Sequence, residues 1–128
     1  MRVERVCTFM PGAQLDGAHF QRADLTSAHL VSATLTGALC RGANFTGANL
    51  IGASLAGADL AEVNMRQANL ANADFAGADL THADLSTATM TNTNFFDANM
   101  AEVWFPPHTA PPQGWVVDPR AGRLKRLG

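Results

Sequence analysis

The sequence predicts an all-β solenoid whose backbone turns a corner every five residues, and three observations lead to this prediction. A large apolar residue occurs at every fifth position from Leu15 to Met100, eighteen times in succession. Alanine lies two positions before each of these residues, except at Val63 and Thr93. Glycine, which tolerates the backbone angles of tight corners, recurs at fixed places between them.

The period of five excludes the two common secondary structures. On an α-helix of 3.6 residues per turn, each repeat advances the side chain by roughly 140°, so the apolar residues would be scattered around the helix. On a flat strand, residues five apart point to opposite faces. A backbone that bends once per repeat places both the large apolar residue and its small partner inside. Short repeats of this kind are typical of solenoids, in which each coil contacts only its neighbours.

The repeat resembles the motif of the pentapeptide-repeat family, in which Ala-(Asp/Asn)-Leu is followed by two variable residues. The sequence contains ADL at 23–25, 58–60, 78–80 and 83–85, and ANL at 48–50 and 68–70. The resemblance extends over 90 of the 128 residues. It implies a right-handed quadrilateral β-helix of about 4.5 coils, with four pentapeptides in each coil. Residues twenty apart would then stack in ladders, and the rod would be about 22 Å long.

The repeat divides the chain into three segments. Residues 13–103 form the predicted β-helix, residues 1–12 an N-terminal cap, and residues 104–128 a C-terminal cap with a basic tail. Pro106 and Pro107 end the coil, because proline cannot donate a hydrogen bond to the next layer. The exposed ends of a solenoid need covering, and apolar residues are available at both ends. They are Trp104, Phe105 and Trp115 in the proline-rich tail, and Val3, Val6, Phe9 and Met10 at the N-terminus.

Charge is distributed unevenly along the chain. Residues 13–102 carry nine acids and three bases, whereas residues 104–128 carry four bases and one acid. The N-terminus lacks a signal-peptide core and no segment is long and apolar enough for a membrane helix, so we expect a cytoplasmic protein without membrane contact. We also expect the protein to be bacterial. Two cysteines, Cys7 and Cys40, do not make a disulfide framework. The short basic tail lacks interleaved aromatic residues, which disfavours direct nucleic-acid binding.

No catalytic, cofactor-binding or metal site is predicted. The sequence has no glycine-rich phosphate loop and no His-x-x-x-His or Cys-x-x-Cys pair. His19, His29 and His82 fall in different ladders, where they favour a surface role over metal binding. Cys40 falls at an inward position, as a small core residue. A coil filled with side chains offers no concave pocket of its own, so we expect a protein that is not an enzyme and binds no cofactor.

Two sets of residues are candidate binding surfaces. The first is an acidic face formed by Asp59, Asp74, Asp79 and Asp84. Asp59 and Asp79 would stack in one ladder, where like charges repel, although acids at this repeat position also keep the rod soluble. The second is an apolar interface through which the terminal cap would bind a partner or form a homodimer. It consists of Phe96, Trp104, Phe105 and Trp115.

The sequence therefore favours a non-catalytic interaction or scaffold protein that presents the faces of a rigid β-helix to a protein partner. The resemblance implies an alternative. Some pentapeptide-repeat proteins mimic DNA and bind DNA gyrase, which they inhibit or protect from quinolones. On that alternative the acidic face would be the binding site, because its charge imitates that of duplex DNA. The fold by itself confers neither activity.

Overall fold

The architecture comes from a computed structural model, which describes residues 9–127. Its regular strands are β1, Trp115–Val117, and β2, Leu124–Arg126, which pair antiparallel. The remaining β-structure consists of isolated bridges, nearly all of them parallel and between residues twenty apart. No helix occurs in residues 9–127, and so none that could span a bilayer. The chain is therefore a β-helix that pairs through one residue on each side of each coil.

The corners of the coil are β-turns. The N–H of Ala18 donates to the carbonyl oxygen of Leu15 at 3.0 Å, and the third residue of this turn, Gly17, has a φ of 68°. A positive φ at the third position is characteristic of a type II turn, and glycine adopts it without strain. The predicted corner glycines all occupy this third position.

Ten corners place a residue other than glycine in the same left-handed conformation. Arg22, for example, has a φ of 58°, which costs an L-residue roughly 1–2 kcal/mol. The same residue donates its N–H to the carbonyl oxygen of Arg41 in the next layer at 2.9 Å, so the conformation also serves the inter-coil pairing. At these ten corners the coil imposes the left-handed conformation, and the residue type sets its energetic cost.

Thr87 is the exception among the corners between residues 12 and 102. It occupies the third position of its turn but has no positive φ, as expected for a β-branched residue. The N–H of Gln67, one coil earlier, donates to the Thr87 hydroxyl oxygen at 2.9 Å instead of to a backbone carbonyl. At this turn the Thr87 hydroxyl oxygen therefore replaces the backbone carbonyl oxygen that accepts the equivalent N–H at other corners.

Four ladders of parallel bridges give the coil four sides. The pairing alternates in direction: Leu35 donates its N–H to the carbonyl oxygen of Ser54 at 2.7 Å, and Ser54 donates to that of Ala33 at 2.9 Å. We number the sides by their bridged residues. Side 1 contains Gln14, Thr34, Ser54, Asp74 and Asn94; side 2, His19, Leu39, Asp59, Asp79 and Asn99; side 3, Asp24, Asn44, Asn64, Asp84 and Trp104; side 4, Phe9, His29, Asn49, Asn69 and Thr89.

The core is a column of large apolar side chains with small partners beside them, as the repeat predicts. From Ala23 to Leu85, both inward positions of every repeat are buried, and Val63 takes the place of an alanine. Burial raises the pKa of the Cys40 thiol to about 12, with the Asp59 carboxylate as a second cause. A thiol with this pKa stays protonated, so Cys40 is a core residue and not a nucleophile.

The C-terminal segment folds back onto side 3. Strand β2 follows Arg123, which forms an antiparallel bridge with Trp104, and Leu124 donates its N–H to the carbonyl oxygen of Val103 at 2.8 Å. Phe105, Trp115 and Leu124 join the core. The β1–β2 hairpin therefore covers the last layer of the coil on one of its four sides.

The bridges extend slightly beyond the repeat segment predicted at 13–103. Phe9, which falls in the predicted N-terminal cap, already forms a bridge with His29, and Trp104 continues the side 3 ladder. The other predicted cap residues, Val3 and Val6, and the thiol of Cys7 lie outside the described residues.

Candidate interaction surfaces

The Asp and Asn residues of the four sides make a recurrent local hydrogen bond. The Oδ1 atom of Asp74, for example, accepts the backbone N–H of Ala76 at 2.9 Å. This Asx-turn stabilises the corner that follows, which explains why Asp and Asn suit the position. The same bond recurs at Asp24, Asn44, Asn49, Asp59, Asn64, Asn69, Asp79, Asp84, Asn94 and Asn99. The stacked asparagines therefore support corners more than they bond to one another.

The four carboxylates of the predicted acidic face lie on three sides of the coil. Asp59 and Asp79 are bridged neighbours on side 2, whereas Asp74 lies on side 1 and Asp84 on side 3. Successive sides of a four-sided coil face different directions. The structure therefore brings two of these residues together and separates the other two from them.

Two of these carboxylates also form ion pairs. Arg41 Nε lies 3.3 Å from Asp59 Oδ2, and Arg66 Nε lies 3.1 Å from Asp84 Oδ2. Pairs exposed to this degree contribute roughly 0–1 kcal/mol to stability. These pairs matter more for the surface charge than for stability. Each arginine offsets one of the negative charges that a DNA mimic would need.

Asp79 stays ionised through local contacts. Burial acts to raise its pKa, but hydrogen bonds from the Thr81 hydroxyl and backbone N–H, together with the charge of Arg41, outweigh it and hold the pKa below its usual value. No group of three His, Cys, Asp or Glu side chains within residues 9–127 is arranged to bind a metal ion.

The predicted apolar interface divides into exposed and buried residues. Phe96 is 73% exposed and Trp104 is 43% exposed, whereas Phe105 and Trp115 are only 4% and 7% exposed. The guanidinium of Arg123 covers the Trp104 ring at 5.1 Å. Phe105 and Trp115 are buried because the hairpin folds back over the coil, so they stabilise the cap. Phe96 is the most exposed of the four residues.

A groove of about 630 Å³ lies between the last layer of the coil and the C-terminal segment. We call it the terminal groove. The guanidinium of Arg126 lies over the Trp115 ring, 4.5 Å from the ring centroid. Sequence reasoning missed this site, although the end of the five-residue pattern after Met100 was the signal that a layer is incomplete there. The groove is lined by Met90, Phe95, Phe96, Phe105, Trp115 and Arg126, among others.

The repeat pattern matches a known family along most of the chain. Eight copies of the pentapeptide-repeat model match segments 11–39, 28–67, 38–75 and 68–105. The chain belongs to the pentapeptide-repeat family. No curated protein matches it at a significant level.

Solved structures of other pentapeptide-repeat proteins are similar to this chain. One, from the Arabidopsis thaliana thylakoid lumen, has 29% identity and a TM-score of 0.59 over 80% of this chain and 68% of its own. Another is HetL, involved in heterocyst differentiation regulation in the cyanobacterium Nostoc, with 24% identity and a TM-score of 0.56 over 87% of this chain and 65% of its own. The latter likeness shows the fold alone.

A third similar structure is QnrB1, a plasmid-mediated fluoroquinolone resistance protein. Its identity is 21% and its TM-score 0.42, over 70% of this chain and 52% of its own, which is too low to support an argument about function. Since the similar structures include a plant lumenal protein, the cytoplasmic location and bacterial source stay predictions.

Proposed function

We propose that this pentapeptide-repeat protein is a non-catalytic scaffold that presents its rigid β-helix, and above all the C-terminal end of that helix, to a protein partner. The observation that carries the proposal is the terminal groove with Phe96 exposed beside it. Exposed aromatic groups next to a concave surface are typical anchors of protein interfaces.

The coil holds this surface in a fixed shape. Phe95 stacks on Phe75 of the preceding coil, with ring centroids 5.4 Å apart, and Phe75 is fully buried. Gly77 donates its N–H to the carbonyl oxygen of Phe96 at 2.9 Å, which ties the Phe96 backbone to the layer beneath. A pre-organised surface loses little conformational entropy on binding.

Photo-crosslinking tests the proposal. Benzoylphenylalanine replaces Phe96 in one variant and Phe9 in the other, because these two phenylalanines are similarly exposed, at 73% and 68%, but lie at opposite ends of the coil. We expect a discrete protein adduct in lysate of the source cells from position 96 and none from position 9. An adduct of twice the chain's mass would identify the partner as a second copy. Equal labelling at both positions, or none, would contradict the proposal.

The second candidate is a DNA-mimicking inhibitor or protector of DNA gyrase. The adjacent carboxylates of Asp59 and Asp79 on side 2 favour it, and the spread of the acids over three sides disfavours it. A supercoiling assay compares the protein with its Asp59/Asp74/Asp79/Asp84→Asn variant. Asparagine keeps the Oδ1 acceptor of each Asx-turn, so the variant should fold. We expect no effect from either protein. If the protein inhibited supercoiling and the variant did not, the DNA-mimic function would be favoured over the scaffold function.

A further inference from the structure

We propose that the terminal groove binds an extended peptide segment with an acidic side chain, which adds a layer to the coil on sides 4 and 1. This inference rests on the proposed function and names the partner class of that site. It comes from three features of the last layer: backbone groups without partners within residues 9–127, the groove beside them, and a cation that forms no ion pair in the same part of the chain.

The backbone groups at the groove repeat those that pair elsewhere in the coil. Leu70 donates its N–H to the carbonyl oxygen of Thr89 at 2.8 Å, and Phe75 donates to that of Asn94 at 2.7 Å. One coil later the equivalent donors are the N–H groups of Met90 and Phe95. Neither has a hydrogen-bond partner within residues 9–127. These donors point along the coil axis toward the place of the next layer.

The acceptors of the same edge also lack partners among the described residues. Ala68 accepts the N–H of Thr89 at 2.9 Å on side 4, and Ala73 accepts that of Asn94 at 2.9 Å on side 1. One coil later the equivalent carbonyl oxygens belong to Ala88 and Thr93, and no described N–H pairs with either. Donors and acceptors that alternate in this way match an extended main chain, which is the pattern recognised in strand addition.

The chain itself does not supply the missing layer. Residues 109 and 114 would occupy it if the period of twenty continued, but Thr109 donates its N–H to Pro106 at 3.3 Å. Trp115 donates to Pro112 at 3.1 Å and enters strand β1. The hairpin covers side 3 and leaves the ends of sides 4 and 1 facing the groove, which has room for a short extended segment.

The residues that line the groove indicate which side chains the bound peptide segment should have. Met90 and Phe95 are only partly buried, unlike their counterparts one coil earlier, so an inward apolar side chain would complete their packing. Arg126 is fixed over Trp115 and forms no ion pair within residues 9–127. A carboxylate would pair with this guanidinium. Asp97 also lines the groove, which favours one acid in the segment over several.

The test uses a probe copied from the layer beneath. Residues 67–76, QANLANADFA, form sides 4 and 1 of that layer and contain one acid. The peptide, with a fluorescent label and blocked ends, is titrated with the full protein, and anisotropy reports binding. We expect saturable binding, weakened roughly tenfold when the peptide aspartate is replaced by asparagine, since a charged hydrogen bond is lost.

Backbone methylation separates strand addition from ordinary apolar binding. N-methyl groups at the peptide positions equivalent to Asn69 and Asp74 remove the N–H groups that would donate to Ala88 and Thr93, and should weaken binding at least roughly tenfold. N-methyl groups at the positions equivalent to Leu70 and Phe75 remove N–H groups that face away from the coil, and should leave binding unchanged. Equal weakening by both pairs would overturn the strand addition.

Protein variants locate the site. Arg126→Gln should weaken binding of the unmodified probe roughly tenfold, whereas Arg120→Gln, a surface arginine outside the groove, should not. Circular dichroism confirms that both variants fold. An unchanged affinity in Arg126→Gln, or no binding of the probe at millimolar protein, would overturn the inference. A position-96 adduct would still support the proposed function in that case, so the two failures are distinguishable.

Discussion

Phe75 and Phe95 occupy the same inward position of the same side, one coil apart, and differ mainly in what lies above them. Phe75 is covered by Phe95 and is fully buried, whereas Phe95 faces the terminal groove and is partly exposed. The residue type is the same, and the residue two positions before is small in both, alanine at 73 and threonine at 93. Burial in a repeat is therefore supplied by the next layer, and the last layer depends on sequence outside the repeat.

The largest effect is expected from a charge in the middle of the column. Leu55→Asp places a carboxylate at a position with no exposed surface, where it has no ionic partner. The cost should exceed the stability of a domain of this size, so circular dichroism at 25 °C should show no cooperative unfolding transition. Leu55→Met, which conserves volume, should lose less than about 1.5 kcal/mol. A folded Leu55→Asp protein would show that the inward register is wrong.

Truncation of the two phenylalanines measures the comparison directly. Phe75→Ala should lower the free energy of unfolding by about 3–5 kcal/mol, because the cavity it leaves is enclosed. Phe95→Ala should lower it by about 1–2 kcal/mol, because that side chain is already partly exposed. Urea unfolding gives both values. Equal losses would mean that the terminal groove is closed in solution.

The turn at Thr87 tests how far a corner tolerates departure from the common geometry. Thr87→Val removes the hydroxyl that accepts the Gln67 N–H and should cost about 1 kcal/mol. Thr87→Ser keeps the acceptor and serves as the control. If urea unfolding gives the same stability for both variants, the hydrogen bond makes no net contribution.

A smaller effect is expected on the side 2 surface. Asp59→Asn keeps the Oδ1 acceptor for the Ala61 N–H and loses an exposed ion pair with Arg41, so stability should change by less than about 0.5 kcal/mol. Asp59→Ala loses both contacts and should cost about 1 kcal/mol. Thermal unfolding compares the unsubstituted protein with the Asp59→Asn and Asp59→Ala variants. A lower stability of Asp59→Asn than of Asp59→Ala would contradict this local role of the side chain.

The smallest effect is expected in the hairpin. Asp118 forms an Asx-turn there like those that recur in the coil. The N–H of Arg120 donates to the Asp118 carboxylate at 2.9 Å and, with smaller help from Ala121, Lys125 and Arg123, lowers its pKa against a weaker opposing effect of desolvation. A lowered pKa stabilises the folded state above the unfolded value near 4, and this contribution is lost as pH falls through the folded value. Trp115 fluorescence, recorded as the pH is lowered, should report this loss of stability. The change in fluorescence should be smaller in the Asp118→Asn variant.

The sequence predicted the interior of the coil better than its surface or its end. The period of five places every inward residue, because one rule sets the position of each repeat. The ion pair between Arg41 and Asp59 joins residues eighteen apart, and it depends on how a corner side chain leans toward the next layer. The burial of Phe105 and Trp115 depends on the path of the hairpin, which has no period. Phe96 lies off the inward register, and this position alone accounts for its exposure.

The bridges between residues twenty apart also set how the length of this protein can change. An insertion or deletion of one whole coil returns every later residue to the same side and lengthens or shortens the rod by about 4.8 Å. A change of five residues keeps the core but rotates everything after it, the last layer and the hairpin included, by one side relative to the coils before it. Evolution or design can therefore extend this rod in steps of twenty residues, while steps of five change the direction in which its open end faces relative to the N-terminal coils.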